Sequence, residues 1–128
     1  MIDLGQVEGG FVMGLGYMLL ERSVYDPETG KCLTNGTWEY KLPSSKDIPM
    51  DLRVKFVENK PNPNGVLGSK ATAEPPLALA NSILNAVRHA VGSARRDAGE
   101  HGHFRLDIPA TVESVQQACL VSHKDFKF

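Results

Sequence analysis

The sequence predicts an α+β fold in which a few antiparallel strands are segregated from the helices. Apolar residues recur at helical spacing in residues 3–21 and again in residues 77–98. Between these segments, residues 51–57 alternate apolar and polar side chains with the two-residue period of a strand. No regular strand–helix–strand alternation accompanies them, so a doubly wound parallel sheet is not expected.

Residues 3–21 are predicted to form a buried helix. Its apolar residues fall on one face: Leu4, Val7, Phe11, Leu15, Met18 and Leu19. Asp3 is suited to cap its start. Five glycines weaken this helix by roughly 1 kcal/mol each relative to alanine: Gly5, Gly9, Gly10, Gly14 and Gly16. Glycines at four-residue spacing admit either another backbone, which is the simpler interpretation, or a flat ligand.

Short strands are expected between residues 22 and 57. The turn-forming run Asp26-Pro27-Glu28-Thr29-Gly30 lies between residues 23–25 and 31–33, which we expect to be extended. Residues 37–41 alternate β-forming side chains, and residues 51–57 give the clearest strand of all. Prolines, asparagines and a glycine in residues 59–65 then predict a surface loop.

A long helix is predicted for residues 77–98. It follows Glu74 and two prolines, which the first helical turn tolerates well, and Gly99 is placed to end it. Residues 104–108 read as a short extended piece. Thr111 is a suitable cap for a last helix over residues 112–119.

Charge and composition argue against nucleic-acid binding. The chain of 128 residues carries 14 basic and 15 acidic side chains, a formal net charge of -1. A surface that binds nucleic acid shows a clustered basic face. The one basic cluster lies in the later half of the second long helix: Arg88, His89, Arg95 and Arg96. Cations there complement the helix dipole, which explains the cluster without a ligand.

No targeting segment, membrane partner or metal site is predicted. The apolar first twenty residues contain Asp3 and Glu8 and lack the basic start of a signal peptide. The two cysteines, Cys32 and Cys119, are too few for an iron–sulfur cluster and make no disulfide framework. A reduced, soluble, cytoplasmic protein is therefore expected. The histidines lack the regular spacing with other ligands that a zinc site needs.

Glu74 is the residue best suited to catalysis. It lies between a loop of small residues and two prolines, which restrict the backbone. The carboxylate would therefore be held in a fixed position, as a general base requires. The simpler interpretation is an acidic residue stabilised by a helix N-terminus. Gln6 is a second candidate, because its amide can donate and accept hydrogen bonds within a glycine-rich stretch. An ordinary exposed glutamine is the alternative there.

Four segments, in matching order and spacing, resemble the xanthine dehydrogenase/aldehyde oxidase family. Residues 5–16 (GQVEGGFVMGLG) resemble its GQVEGxFxxGxG segment. Residues 40–43 (YKLP) and 47–49 (DIP) resemble the passage that follows it. Residues 69–77 (SKATAEPPL) resemble the SKAxGEPPL segment that carries the family's catalytic glutamate, and residues 106–111 (LDIPAT) resemble LDxPAT. Together the four span almost the entire chain.

The resemblance implies that residues 1–128 are the C-terminal segment of a larger molybdenum-cofactor (molybdopterin) binding domain. Such enzymes oxidise aldehydes or purine-like N-heterocycles, and an aldehyde oxidase-like member is favoured. In the family, a glutamate takes the proton from Mo–OH, the oxygen attacks an electron-poor carbon, and hydride passes to a sulfido ligand. Glu74 matches that catalytic glutamate. Gln6 matches a glutamine whose amide bonds the molybdenum cofactor.

The family also carries two [2Fe–2S] clusters and FAD in upstream regions, and it usually forms homodimers. The resemblance therefore implies that this chain is a fragment whose partners are those regions and a small-molecule substrate, and that the isolated chain is inactive. A truncated, inactive paralogue that serves as an interaction module is the alternative. One position departs from the family pattern: Ala73 stands where glycine is usual, which would cost energy if that position required a positive φ.

Overall fold

The computed structural model describes residues 1–122 and residue 126, and in these residues the chain forms four α-helices. They are α1 (Ile2–Leu19), α2 (Glu74–Leu79), α3 (Asn81–Asp97) and α4 (Val112–Ala118). A short 3-10 turn spans Val66–Gly68. Helix α1 packs on α2 and α3, and α3 packs on α4. None of the helices in the described part combines the length and apolar character that a membrane crossing requires.

The predicted antiparallel strands do not form in the described residues, so the α+β prediction is wrong. The turn at residues 26–30 closes with a single isolated antiparallel bridge between Tyr25 and Cys32. Residues 37–40 form a turn in which the Tyr40 N–H donates to the Gly36 carbonyl (2.8 Å). Residues 51–57 have no strand beside them. Alternation predicts which way side chains point, but a sheet also needs a neighbouring strand to complete its hydrogen bonds.

Helix α1 forms as predicted, with a different start. It begins at Ile2, so Asp3 lies inside the first turn and does not cap the helix, contrary to the prediction. The predicted apolar face is buried only in part: Leu15 and Met18 are buried, whereas Leu4 at the start of the helix is 37% exposed. The outer face carries Ile2, Met13 and Tyr17, which are 82%, 64% and 53% exposed.

The predicted long helix over residues 77–98 is broken into α2 and α3 at Ala80. This alanine is fully buried and its methyl group lies against Gly14 of α1. The Ile83 N–H donates to the Ala80 carbonyl (2.9 Å), three residues back, which marks the bend. The break between α2 and α3 therefore falls at the residue that is buried against α1. Gly99 ends α3 at φ +84°, as predicted.

Helix α4 confirms its predicted cap. The Thr111 hydroxyl accepts a hydrogen bond from the Ser114 N–H (3.3 Å), and α4 starts at the next residue. Just before this cap, the Ala110 N–H donates to the Met18 carbonyl (2.7 Å), which joins the last part of the chain to the end of α1.

Segments far apart in the chain meet on α1. Pro43 packs against Gly16, so closely that a Cβ there would lie 2.6 Å from the Pro43 Cγ. Helix α2 packs on Gly10 and Gly14, and Ala110 binds the end of the helix. The fold is therefore arranged around α1.

The chain exposes more surface than a compact protein of its size. Its accessible surface is 10257 Å², whereas a globular monomer of 14.0 kDa exposes about 6,700 Å². The difference is about 3,500 Å². The buried apolar core of the described residues is correspondingly small: Leu15, Met18, Ala80, Val91 and Ala110.

Candidate functional site

Glu74 is the first residue of α2, and its side chain is exposed. Pro75 and the buried Pro76 follow it inside the helix, so the backbone that carries the carboxylate is restricted. Among the described residues, the carboxylate has neither a hydrogen-bond donor nor an ion-pair partner. It is therefore available to accept a proton.

Ala73, at the position where the family has glycine, is not strained. Its φ is -89° and its ψ is -34°, an ordinary helical conformation for alanine. The Ala73 carbonyl accepts the hydrogen bond of the Leu77 N–H (3.1 Å) and so begins the backbone ladder of α2. The cost that a positive φ would have imposed does not arise.

Two glycines of α1 bring its backbone against α2. A Cβ on Gly10 would overlap the Ala73 carbonyl oxygen and lie 3.1 Å from the Ala73 carbonyl carbon. A Cβ on Gly14 would lie 2.6 Å from the Leu77 carbonyl oxygen and 2.5 Å from the Ala80 Cβ. For these two glycines, the close neighbour is the protein backbone, as the simpler interpretation held.

Gln6 lies on a part of α1 that the described chain leaves open. Its side chain is exposed and has no hydrogen-bond partner among the described residues. A Cβ on Gly5 or Gly9 would meet nothing within 4 Å. Gln6 precedes Gly10 by one turn, about 6 Å along the axis and about 40° around it. Gln6 and Glu74 therefore occur on adjoining elements, near the contact between Gly10 and Ala73.

Two clefts of the described residues enclose neither Gln6 nor Glu74. One, of about 630 Å³, is lined by Asp3 and Val7 of α1, residues 54–56, residues 68–72 and the two prolines that follow Glu74. A second cleft, of about 510 Å³, lies between Arg22 and residues 105–109. A closed pocket around Gln6 and Glu74 would need walls from outside the described residues.

The basic cluster of α3 serves the fold. Arg88 donates to the Phe104 carbonyl (3.1 Å) and Arg95 donates to the Ala118 carbonyl (2.9 Å). Both guanidinium groups lie over the Phe104 ring, with their carbons 4.9 Å and 5.2 Å from its centroid. Sequence reasoning missed this arrangement, because nothing in the spacing links Phe104 to α3.

The two cysteines are unpaired and half-buried. Within the described residues, no group of three or more His, Cys, Asp or Glu side chains could hold a metal ion.

Comparison with known proteins identifies clear relatives. Residues 1–49 match the family described as molybdopterin cofactor-binding domain. The chain is 44% identical over 119 residues to a xanthine dehydrogenase/oxidase of Gallus gallus and 44% identical over 126 residues to an indole-3-acetaldehyde oxidase of Arabidopsis thaliana. These alignments cover 93% and 92% of this chain but only 9% and 10% of the relatives. The chain thus spans about a tenth of the length of the curated relatives it matches. Glu74 lies outside the residues that the family model matches.

Proposed function

Because this chain belongs to the xanthine dehydrogenase/aldehyde oxidase family, we propose that residues 1–128 are a segment of the molybdenum-cofactor domain of a molybdenum hydroxylase. The 44% identity to both relatives, over alignments that cover more than nine-tenths of this chain, supports the assignment. Within it, we assign Glu74 as the general base and Gln6 as a residue that binds the cofactor. The observation that carries the first assignment is the unpartnered Glu74 carboxylate at the rigid start of α2.

Glu74 is suited to take a proton from a bound reactant. Its carboxylate has no partner within the described chain, so no ion pair has to break before it acts. The prolines that follow limit the movement of its backbone. A base in a fixed position contributes roughly 10² to 10⁴ to a rate.

The residues around Gln6 fit a flat, polar cofactor. Gly5 and Gly9 leave the surface of α1 open beside it, so a planar group can approach the helix closely. The Gln6 amide offers both a donor and an acceptor to such a group. When bound, the molybdenum cofactor would supply the redox chemistry of substrate oxidation. Gln6 would orient the cofactor, and Glu74 would accept the proton that the reactant loses.

We propose an aldehyde or a purine-like N-heterocycle as the substrate. The names of the two relatives, xanthine dehydrogenase/oxidase and indole-3-acetaldehyde oxidase, support these two classes. We prefer the aldehyde class, in keeping with the aldehyde oxidase-like member that the sequence led us to expect. FAD and two [2Fe–2S] clusters would belong to other regions of the enzyme, which we expect to be a cytoplasmic homodimer.

The large exposed surface supports a role within a larger molecule. One partner's share of a permanent interface is roughly 1,000 to 2,500 Å². The excess of about 3,500 Å² on this chain is larger than that share, so it leaves room for contacts with more than one neighbouring region. The other regions of the same enzyme are the proposed partner. An inactive interaction module would also use such a surface, but it would carry no molybdenum.

The test is Glu74→Gln in the enzyme that contains this segment, with Glu100→Gln as the control at an exposed glutamate outside the site. Glu74→Gln should lower kcat by about 10² to 10⁴ with the molybdenum content unchanged, because the amide cannot accept the proton. Glu100→Gln should keep the original rate. A kcat within fivefold of the original for Glu74→Gln would reject the base, and wild-type protein without molybdenum would favour the interaction module.

A further inference from the structure

We propose that Gly10 is a positioning residue for Glu74, because its missing side chain lets the Ala73 carbonyl rest on α1 and so fixes where α2 begins. This inference rests on the proposed function of Glu74 as the base. It assigns to Gly10 a role that is separate from that of the open glycines beside Gln6.

The contact is between two backbones, so neither side can yield by rotating a side chain. Gly10 is buried, and the atoms nearest to a Cβ built on it are the oxygen, carbonyl carbon and Cα of Ala73. The two carbon atoms would lie 3.1 Å from that Cβ, whereas carbon atoms pack best at about 3.5–4.0 Å. An added methyl group must therefore push Ala73 away from α1.

The Ala73 carbonyl is also the first acceptor of α2. It receives the Leu77 N–H at 3.1 Å. Pro75 and Pro76 have no N–H, so Leu77 is the first residue after Glu74 whose amide can join the helix. Any displacement of Ala73 is thereby passed to the helical turn that carries Glu74.

Helix α2 cannot determine its own position. It has six residues, and isolated helices this short are not stable in water without tertiary contacts. The packing of Ala73 on Gly10 and of Leu77 on Gly14 supplies those contacts. Gly10 is the one of the two that contacts the residue directly before Glu74.

The expected effect of Gly10→Ala is a loss of kcat of about ten- to a hundredfold, because misplacing a catalytic group by about 1 Å costs up to 10²-fold. KM and molybdenum content should stay within about twofold of the original, since Gly10 is buried and its added methyl group would face Ala73. Gly92→Ala is the matched control. It adds the same methyl group to a helix outside the site, where the nearest atom would lie at an ordinary 3.4 Å.

The test uses the complete enzyme and two independent readouts. Hydrogen exchange at the Leu77 amide is obtained from the difference between two overlapping peptides with the same start, one ending at residue 76 and the other at residue 77. The Leu77 amide should exchange at least about tenfold faster in Gly10→Ala and within twofold of the original in Gly92→Ala. The second readout is steady-state kinetics of Gly10→Ala in the original and in the Glu74→Gln background. Where Glu74 is already replaced, Gly10→Ala should lower the residual rate by less than twofold, because coupled residues are not additive.

The outcomes separate the two proposals. Unchanged exchange at Leu77, an unchanged kcat, or a fall in molybdenum content equal to the fall in rate would each overturn the role of Gly10. An additional tenfold loss in the Glu74→Gln background would do the same. If Glu74→Gln itself keeps the original rate, the proposed base fails, while the exchange at Leu77 still reports whether Gly10 positions α2. Where the residual rate of Glu74→Gln is below detection, hydrogen exchange at Leu77 and the changes in kcat and KM of Gly10→Ala decide whether Gly10 positions Glu74.

Discussion

Replacing Gly14 with alanine should destabilise the chain, although alanine is the better helix former. A Cβ at this position would lie 2.5 Å from the Ala80 Cβ and 2.6 Å from the Leu77 carbonyl oxygen. Overpacking of this kind costs about 1–3 kcal/mol, and the upper part of that range applies because one neighbour is backbone. The gain in helix propensity offsets about 1 kcal/mol. The net loss in the free energy of unfolding is thus about 1–2 kcal/mol.

Gly9→Ala is the matched control on the same helix. Its Cβ would meet nothing within 4 Å, so only the propensity term remains and the chain should become more stable by up to about 1 kcal/mol. Because that term is common to both variants, their difference isolates the packing cost of about 2–3 kcal/mol. Urea unfolding of the 128-residue chain, followed by circular dichroism, measures both midpoints.

A shift of the two midpoints in the same direction and by the same amount would refute this account of α1. It would mean that the glycine at position 14 is not in contact with α2. Replacing Ala80 with glycine in the Gly14→Ala variant provides a further check. It removes the clash with the Ala80 Cβ and leaves the one with the Leu77 carbonyl, so it should restore only part of the stability.

Three further predictions follow from the structure. Phe104→Leu should lower the free energy of unfolding by about 1–2 kcal/mol, because two cation–π contacts are lost. Phe56→Leu, at a half-exposed position, should change it by less than about 0.5 kcal/mol. Equal losses of the two variants in urea unfolding would contradict this. Hydrogen bonds from Thr29 lower the pKa of Asp26 below 3.8, so the turn should stay formed above that pH and loosen as the pH falls through the lowered pKa. A pH titration of the Thr29 amide chemical shift by NMR measures this, and a midpoint at or above 3.8 would contradict it. The isolated chain should retain no molybdenum and oxidise no aldehyde or purine, because the clefts of about 630 and 510 Å³ in the described residues are lined by neither Gln6 nor Glu74. Measurable turnover would overturn that expectation.

The features predicted best were those set by nearby residues. The capping of α4 by Thr111 and the end of α3 at Gly99 depend on one or two hydrogen bonds and a local backbone conformation. The turn at residues 26–30 was recognised for the same reason, and Gly30 has the positive φ expected there.

The errors concern features that depend on distant parts of the chain. Residues 51–57 have the alternation of a strand, yet a strand requires a partner, and the alternation says nothing about whether one exists. The break falls at Ala80, whose methyl group packs against Gly14, a residue far away in sequence. The helical periodicity of the sequence continues across the break, so the periodicity did not predict it.

The candidate site was only partly predictable. The resemblance to the family indicated Glu74 and Gln6, and their roles stay predictions. Periodicity grouped the five glycines of α1 together, whereas the structure separates them into those that contact α2 or Pro43 and those that face open space. That division depends on which segments pack on each side of the helix, and the sequence of α1 alone does not contain it.

The central position of α1 has a consequence for synthesis. The helix emerges from the ribosome before Ala73, Ala80 and Ala110, the residues that cover it. The Met18 carbonyl accepts a hydrogen bond from Ala110, which is synthesised about 90 residues later. At roughly 5–20 residues per second, that delay is about 5–20 s. During that interval the residues of this segment that pack on α1 are not yet in place. Within the segment, α1 can therefore associate wrongly until residue 110 has been made, and a chaperone that shields residues 2–19 until then would raise the yield of folded protein.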